Sequence, residues 1–294
     1  MITVFTPTYN REKTLPKLYN SLKKQTFKNF EWVVIDDGST DCTEELLKKY
    51  IKADKLKIRY FKQQNSGKHV AFNRAIDESQ GDLFIVVDSD DTLDKTALEK
   101  INYYYEKYKD NKKICGFVFL KGYERDKPVT SYFQNYESIN NYNDYIINQG
   151  FEGDKCEVFI TKILKKYHFP VFKGEKFLAE GFLYSKIGRE YLYVFINEII
   201  YLCEYLDGGL TKSGRKLRIN NPQGGMEHAK EYLDSKYYKT SIRVKNYLLY
   251  YTYYRFYKRN NKQNKIDIKP TFLGKICYFV SYIIYFYWNK KYGD

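Results

Sequence analysis

Along the first part of the chain, short β-branched and aromatic runs alternate with stretches in which apolar residues recur every third or fourth position. The first kind reads as buried strand and the second as amphipathic helix. Ile2 to Thr6 predicts a first strand, which Pro7 should end because proline cannot donate to a central ladder. Leu15, Leu18 and Leu22 then share one face of a helix that Asn10 or Thr14 can start. Glu31 to Ile35 predicts a second strand, and Leu46, Leu47, Tyr50 and Ile51 mark a helix with capping-box spacing at Asp41 and Glu44. Leu56 to Phe61 reads as a third strand and Val70 to Ile76 as a helix. A fourth run, Phe84-Ile-Val-Val87, leads straight into Asp88-Ser-Asp-Asp91. This alternation predicts a parallel, doubly wound α/β sheet.

The polar motifs fall at one kind of place. Thr6 to Arg11, Asp36 to Asp41 and Asp88 to Asp91 each follow a strand directly. In a parallel sheet these lie on one edge, where such folds bind ligands. Alternation along the strand would put Asp88 and Asp90 on the same side. Carboxylates so grouped suit Mg²⁺ or Mn²⁺ and a diphosphate held by the metal. The plainer alternative is a polar turn, with Asp91 or Asp94 capping the next helix.

Beyond this, Thr96 to Tyr108 predicts a helix and Ile114 to Leu120 a strand, whereas 121–155 is polar, irregular and rich in Tyr and Asn. Glu180 stands before an apolar helical run, where it favours a helix start. Gly208, Gly209 and Gly214, with Lys212 and Arg215, read as a glycine-rich basic turn, in the plainest case an ordinary surface turn. Met226 to Tyr257 reads as helical, and Phe272 to Trp288 is almost wholly apolar and aromatic.

Charge is uneven. The 294 residues hold 50 Lys and Arg against 36 Asp and Glu, a balance of +14, and from Lys236 onward the count is 13 against 2. The apolar segment lies at the lower length limit for a bilayer span, and its tyrosines suit an interface better than a hydrocarbon core. With Lys258, Arg259, Lys262, Lys265, Lys290 and Lys291 around it, peripheral attachment to an anionic membrane surface is expected. An oligomer interface and a helix pair capping the preceding domain are the alternatives. Nucleic acid is not expected, because no module for it is present. Cys42, Cys115, Cys156, Cys203 and Cys277 lack disulfide or zinc spacing and read as free thiols in a reducing compartment. Met1 leads directly into a strand, so no signal peptide is expected.

Thr6-Pro-Thr-Tyr-Asn-Arg11, Asp36-Asp-Gly-Ser-Thr-Asp41, Asn65-Ser-Gly67 with Asn73-Arg-Ala75, and Asp88-Ser-Asp-Asp91 occur in order over roughly residues 1–120. As a set they resemble the nucleotide-sugar-binding half of family 2 glycosyltransferases, which have the GT-A fold. The resemblance implies that Pro7, Tyr9 and Asp37 or Asp36 hold the uracil of a UDP-sugar. It places Asp88, with Ser89, on the ribose side and Asp90 on a Mn²⁺ or Mg²⁺ ion, with Asp91 able to replace either. Asn65, Lys68 and Arg74 would face the nucleotide or diphosphate, and His228 is a further metal ligand to consider. Glu180 matches the position of the catalytic base, although Gly181 stands where the family often has Asp, and Glu175 is the reserve. The glycine-rich basic turn, as in the enzymes this chain resembles, would be a loop that moves over phosphate oxygens, with Lys212 and Arg215 available to them.

The implied protein is an inverting, metal-dependent glycosyltransferase, hexosyl- or N-acetylhexosaminyl-transferring. It would use a lipid-linked or cell-surface polysaccharide acceptor at the cytoplasmic face of the membrane. The expected division is a catalytic domain over 1–225, with its halves at 1–120 and 121–225, and a basic helical extension over 226–294. The absence of a Gln-x-x-Arg-Trp motif argues against a processive synthase. The competing reading is a non-catalytic nucleotide-sugar-binding scaffold at the membrane.

Overall fold

The computed structural model describes residues 1–151, 153–203, 214–260, 266–269 and 271–292. In chain order the first half runs β1 (Ile2–Thr8), α1 (Leu15–Lys23), β2 (Phe30–Asp36), α2 (Thr43–Lys52), β3 (Ile58–Lys62), α3 (Lys68–Glu78), β4 (Leu83–Val86), β5 (Thr92–Leu93), α4 (Ala97–Tyr108) and β6 (Ile114–Glu124). The second half continues with β7 (Lys127–Pro128), β8 (Glu137–Asn140), a π-helical turn over Asn143–Asn148, β9 (Lys155–Ile160) and α5 (Thr161–Leu164). It closes with α6 (Gly181–Ile187), β10 (Leu192–Leu202), α7 (Gly214–Ile219), α8 (Pro222–Glu231), α9 (Thr240–Asn260) and α10 (Phe272–Tyr292).

One sheet holds the strands in the order β3-β2-β1-β4-β9-β6-β10-β5, with β7 on β6 and β8 on β10. β3, β2, β1 and β4 are parallel, as the alternation predicts. β9 is reversed between β4 and β6, which the irregular 121–155 stretch gives no means of anticipating. Successive residues serve opposite faces. Val4, Trp32 and Val34 pack with Leu15, Leu18, Leu98 and Ile101 on one side, and Phe5, Val33 and Ile35 with Ala71, Phe72 and Phe182 on the other. Helices on both faces explain why these strands are apolar throughout rather than alternating. Phe72 meets Phe5 and Phe169 edge-on. Truncating so buried a ring to Ala costs about 3–5 kcal/mol.

Pro7 does not end β1, which runs on to Thr8 with Pro7 opposite Ile35. The Thr8 carbonyl accepts from Asp37 N–H, so Thr8 faces β2 and Pro7 faces the β4 side. The β1–β4 register stops at Phe5 and Val86, so the missing N–H falls beyond the last pair on that side.

At the other end of the chain, the expected helix over Met226 to Tyr257 is two helices, α8 and α9. The expected boundary between 225 and 226 falls inside α8. Ala229 of α8, Tyr247, Tyr250 and Tyr251 of α9 and Cys277 of α10 form one small core, and α8 also packs on α6. All five cysteines are free thiols. Among the described residues no helix is long and apolar enough to cross a membrane.

Candidate active site

The parallel register puts Thr8 beside Asp36, and Phe5 beside Val86. The three polar motifs therefore do leave the sheet at one edge. They are laced together by main-chain donors. Asn10 N–H donates to Ser39 Oγ (2.9 Å), Thr40 N–H to Asn10 Oδ1 (2.8 Å) and Arg11 N–H to Thr43 Oγ1 (2.9 Å). Asp41 sits one residue before the helix cap and accepts from Thr43 and Glu12 N–H, while Glu44 pairs with Lys48 and Lys62. The anticipated capping box does not form.

The two acids of the second motif divide. Asp36 is fully buried and accepts from Ser39 N–H and Tyr60 Oη. Asp37 reaches the loop before α3, accepting from Gln63 Nε2 (2.8 Å), Ser66 N–H (2.9 Å) and Gly67 N–H (2.7 Å). Gly67 has φ +96°, and a methyl group there would lie 2.0 Å from the Lys176 carbonyl oxygen. Only glycine fits that approach. Pro7 and Tyr9 close the rim, Tyr9 46% exposed. Asn65 lies against Gly38, so the expected base-binding residues form one neighbourhood. Arg74 sits on its β3 side, donating to the Lys62 carbonyl and stacking over Phe61, rather than beside Lys68.

Asp88 to Asp91 forms a turn, with Asp91 N–H donating to the Asp88 carbonyl, so strand alternation does not govern it. Lys68, in the first turn of α3, lies 2.6 Å from Asp88 Oδ1 and 2.9 Å from Glu180 Oε1. Burial opposes the charge on this lysine, but the two carboxylates prevail and hold its pKa above the ordinary value. Asp88 is raised by burial and lowered more by Lys68 and Lys121, ending below the usual carboxylate range. Asp91 is turned inward: Tyr201 Oη donates to its Oδ2 (2.7 Å). Burial, helped by Asp88 and Asp90, pushes Asp91 up to about 6. Ser89 is buried in the same turn, and Asp94 holds Thr96 ahead of α4.

Among the described residues nothing donates to the Asp90 carboxylate, and no group of three or more His, Cys, Asp or Glu is arranged to hold an ion. This donor set suits Mg²⁺ or Mn²⁺ only if diphosphate oxygens complete the shell, which is how Mg²⁺ binds beside one or two carboxylates. His228 is no part of such a set. It packs on the Tyr232 ring, and burial with the nearby Arg218 and Lys245 lowers it to about 3.

Glu175, the reserve base, accepts from Gln223 and Gly224 N–H at the start of α8. Glu180 instead stands at the start of α6 with Lys68. Arg215 stacks on Trp288 and donates to Tyr292 Oη, so it faces α10 rather than a diphosphate. Gly208, Gly209 and Lys212 lie outside the described residues.

Two site residues are absent from any motif. Tyr201 Oη accepts from Asp88 N–H (3.0 Å) while donating to Asp91, and Lys121 Nζ lies 4.1 Å from the centre of the Tyr201 ring. Lys121 makes no ion pair of its own among the described residues. Both come from strands well beyond the acidic turn in the chain, β6 and β10, and nothing local marks them.

Residues 3–168 match the sequence model of Glycosyl transferase family 2. The chain belongs to that family. This family 2 glycosyltransferase is 28% identical over 235 residues to the glycosyltransferase GlyA of Streptococcus pneumoniae serotype 4 (strain ATCC BAA-334 / TIGR4), covering 74% of this chain and 32% of GlyA. It thus spans about a third of that relative's length. Its fold is similar to the crystal structure of S. aureus TarS 1–349 in complex with UDP-GlcNAc (TM-score 0.65, 21% identity, 95% of this chain and 79% of that one). It is also similar to the mannosyltransferase PcManGT from Pyrobaculum calidifontis in complex with GDP-Man and Mn²⁺ (TM-score 0.58, 15% identity, 98% of this chain and 83% of that one). The fold is therefore GT-A.

Proposed function

We propose that this glycosyltransferase moves a sugar from a UDP-sugar to an acceptor hydroxyl with inversion, in the assembly of a lipid-linked or cell-surface polysaccharide. The carrying observation is the Asp88–Lys68–Glu180 bridge, which brings the acidic turn and the candidate base to one lysine. Glu180 accepts the proton of the acceptor hydroxyl as that oxygen bonds to the sugar's anomeric carbon. The bond from that carbon to the diphosphate oxygen breaks, and UDP leaves with the electron pair. Lys68 and Lys121 meet the charge that develops on the diphosphate. Pro7, Tyr9 and the loop held by Asp37 form the base pocket, with Asp88 on the ribose side. Asp90 would hold Mn²⁺ or Mg²⁺, which supplies Lewis-acid neutralisation of the diphosphate when bound. The UDP-GlcNAc of the TarS complex and the Mn²⁺ of PcManGT support this choice of donor and metal.

Attachment to the inner face of the cell membrane through α10 fits the same role. Phe272, Ile276, Phe279, Val280, Ile283 and Phe286 are all exposed along that helix, with Lys275 and Lys290 exposed beside them. An apolar helix face of this kind with basic residues at both ends suits an anionic interface.

The test is UDP release with Mn²⁺ across a set of UDP-sugars, with a thermal-shift screen identifying the donor. Turnover that survives both Asp90→Ala and Glu180→Ala unchanged overturns the assignment.

A further inference from the structure

Behind Glu180, α8 and α9 close over the catalytic domain and leave a cleft of about 390 Å³. That volume is in the range of small-molecule sites. Ala179 lines it, and a methyl group on Gly181 would stand 3.4 Å from Tyr232 Oη and 3.6 Å from His228 Nε2, both of which line it too. The cleft therefore lies beside the start of α6, where Glu180 stands. Its apolar walls include Phe177 and Leu249, with Arg218 and Lys245 at its exposed margin. No Asp or Glu is among the described residues lining it. Neither Arg218 nor Lys245 makes an ion pair or side-chain hydrogen bond among the described residues. His228, which lines the same cleft, is held neutral by burial and by these two cations.

The walls are set rather than loose. Gly225 of α8 lies so close to the Tyr253 ring that a methyl group there would be 2.8 Å from it. Tyr232 Oη donates to the Gly181 carbonyl (3.3 Å) and bonds Ser185 Oγ (2.9 Å), fixing α8 against α6.

An apolar cleft with two cations at its margin and, among its described lining residues, no acid fits an anion carried on a less polar body. We propose that this cleft receives the acceptor, and that the acceptor bears a phosphate group that Arg218 and Lys245 bind. This rests on the transfer reading above, since it uses Glu180 as the base. Phosphate oxygens match the guanidinium fork and the ammonium, and charge-assisted bonds of this kind distinguish a phosphorylated ligand from its neutral counterpart by about tenfold or more. The phosphate of a lipid carrier and that of a phosphodiester polymer share this chemistry.

The experiment uses the full chain with UDP and Mn²⁺ at saturation, so that the donor site is filled. Calorimetry compares farnesyl phosphate with farnesol, and di(glycerol) phosphate with glycerol. The expected result is a preference of about tenfold for the phosphorylated member of at least one pair, lost in Arg218→Gln/Lys245→Gln while UDP affinity is retained. The farnesyl pair reports a lipid carrier and the glycerol pair a phosphodiester polymer. Equal binding of phosphorylated and neutral probes, or a preference untouched by the double substitution, overturns the proposal. Failure of the wild-type protein to bind UDP overturns the donor reading instead. Adsorption to α10, whose basic residues also favour a phosphorylated lipid, would survive Arg218→Gln/Lys245→Gln, so loss of the preference in that variant separates the cleft from it.

Discussion

Lys68 Nζ lies 2.6 Å from Asp88 Oδ1, joining the first turn of α3 to the acidic turn after β4 across the mouth of the site. Glu180 Oε1 completes the bridge at 2.9 Å. Replacing Lys68 by Met leaves two carboxylates facing each other without their cation. We expect kcat/KM to fall at least tenfold. Because Lys68 keeps partial solvent access, the stability loss should be about 1–3 kcal/mol rather than that of a fully dry pair. Steady-state kinetics and denaturant melts measure the two effects, and unchanged kinetics would remove Lys68 from the site.

Tyr201 is the support under the acidic turn. Tyr201→Phe keeps the ring beneath Lys121 but removes the donor to Asp91 and the acceptor for Asp88 N–H. The expected cost is about 1–3 kcal/mol in stability, with a weaker affinity for the UDP-sugar. Melting temperature and a donor titration together check this. A variant with wild-type donor affinity would show that the turn holds its shape without the tyrosine.

Glu180 and Glu175 should separate by their symptoms. Glu180→Gln is expected to lower kcat by about 10²–10⁴-fold with little change in melting temperature. Glu175→Ala deprives Gln223 and Gly224 N–H of their acceptor, so it should cost about 1–3 kcal/mol while activity per folded molecule is kept. The reverse pattern would exchange the two roles.

Glu157 of β9 titrates in the neutral range. Burial pushes it up to about 7, aided by the charges of Glu180 and Asp154, against the pull of Lys121 and Lys155. Its folded-state pKa is above that of the unfolded chain, so the folded state binds the proton more tightly. The stability this provides is complete below the ordinary carboxylate range and is lost as pH rises towards 7. Glu157→Gln should remove that dependence. The difference in unfolding free energy, wild type minus variant, should fall by on the order of 1–3 kcal/mol between pH 4.5 and pH 7.5. A difference that does not change with pH refutes the shift.

The exposed face of α10 predicts its own outcome. Phe279→Asp/Ile283→Asp alters two side chains that are 70% and 73% exposed, so folding should be untouched. Cosedimentation with phosphatidylglycerol vesicles should be lost in this variant and weakened by salt in the wild type. A wild type that ignores such vesicles would return α10 to the role of a protein interface.

Much of the binding half is legible in the residues alone, because it depends on local pattern. The apolar runs at Ile2, Glu31 and Phe84 are strands that need no distant partner to be recognised. Asp37, Asp88 and Asp90 follow them at a sheet edge that parallel pairing brings together. What the sequence could not determine depends on contacts between residues far apart along the chain. Nothing near Tyr201 or Lys121 distinguishes them from the many other tyrosines and lysines. Asp91 reads as a metal ligand by position, and only the fold brings Tyr201 Oη to its Oδ2. Glu175 and Glu180 are both plausible bases by position. Only the packing of α8 commits one to capping a helix and leaves the other facing Lys68. Pro7 shows the same limit: whether a missing N–H matters depends on which neighbouring strand it faces. Local pattern assigns an element and its edge, whereas the direction of each carboxylate is decided by the donors that the fold brings to it.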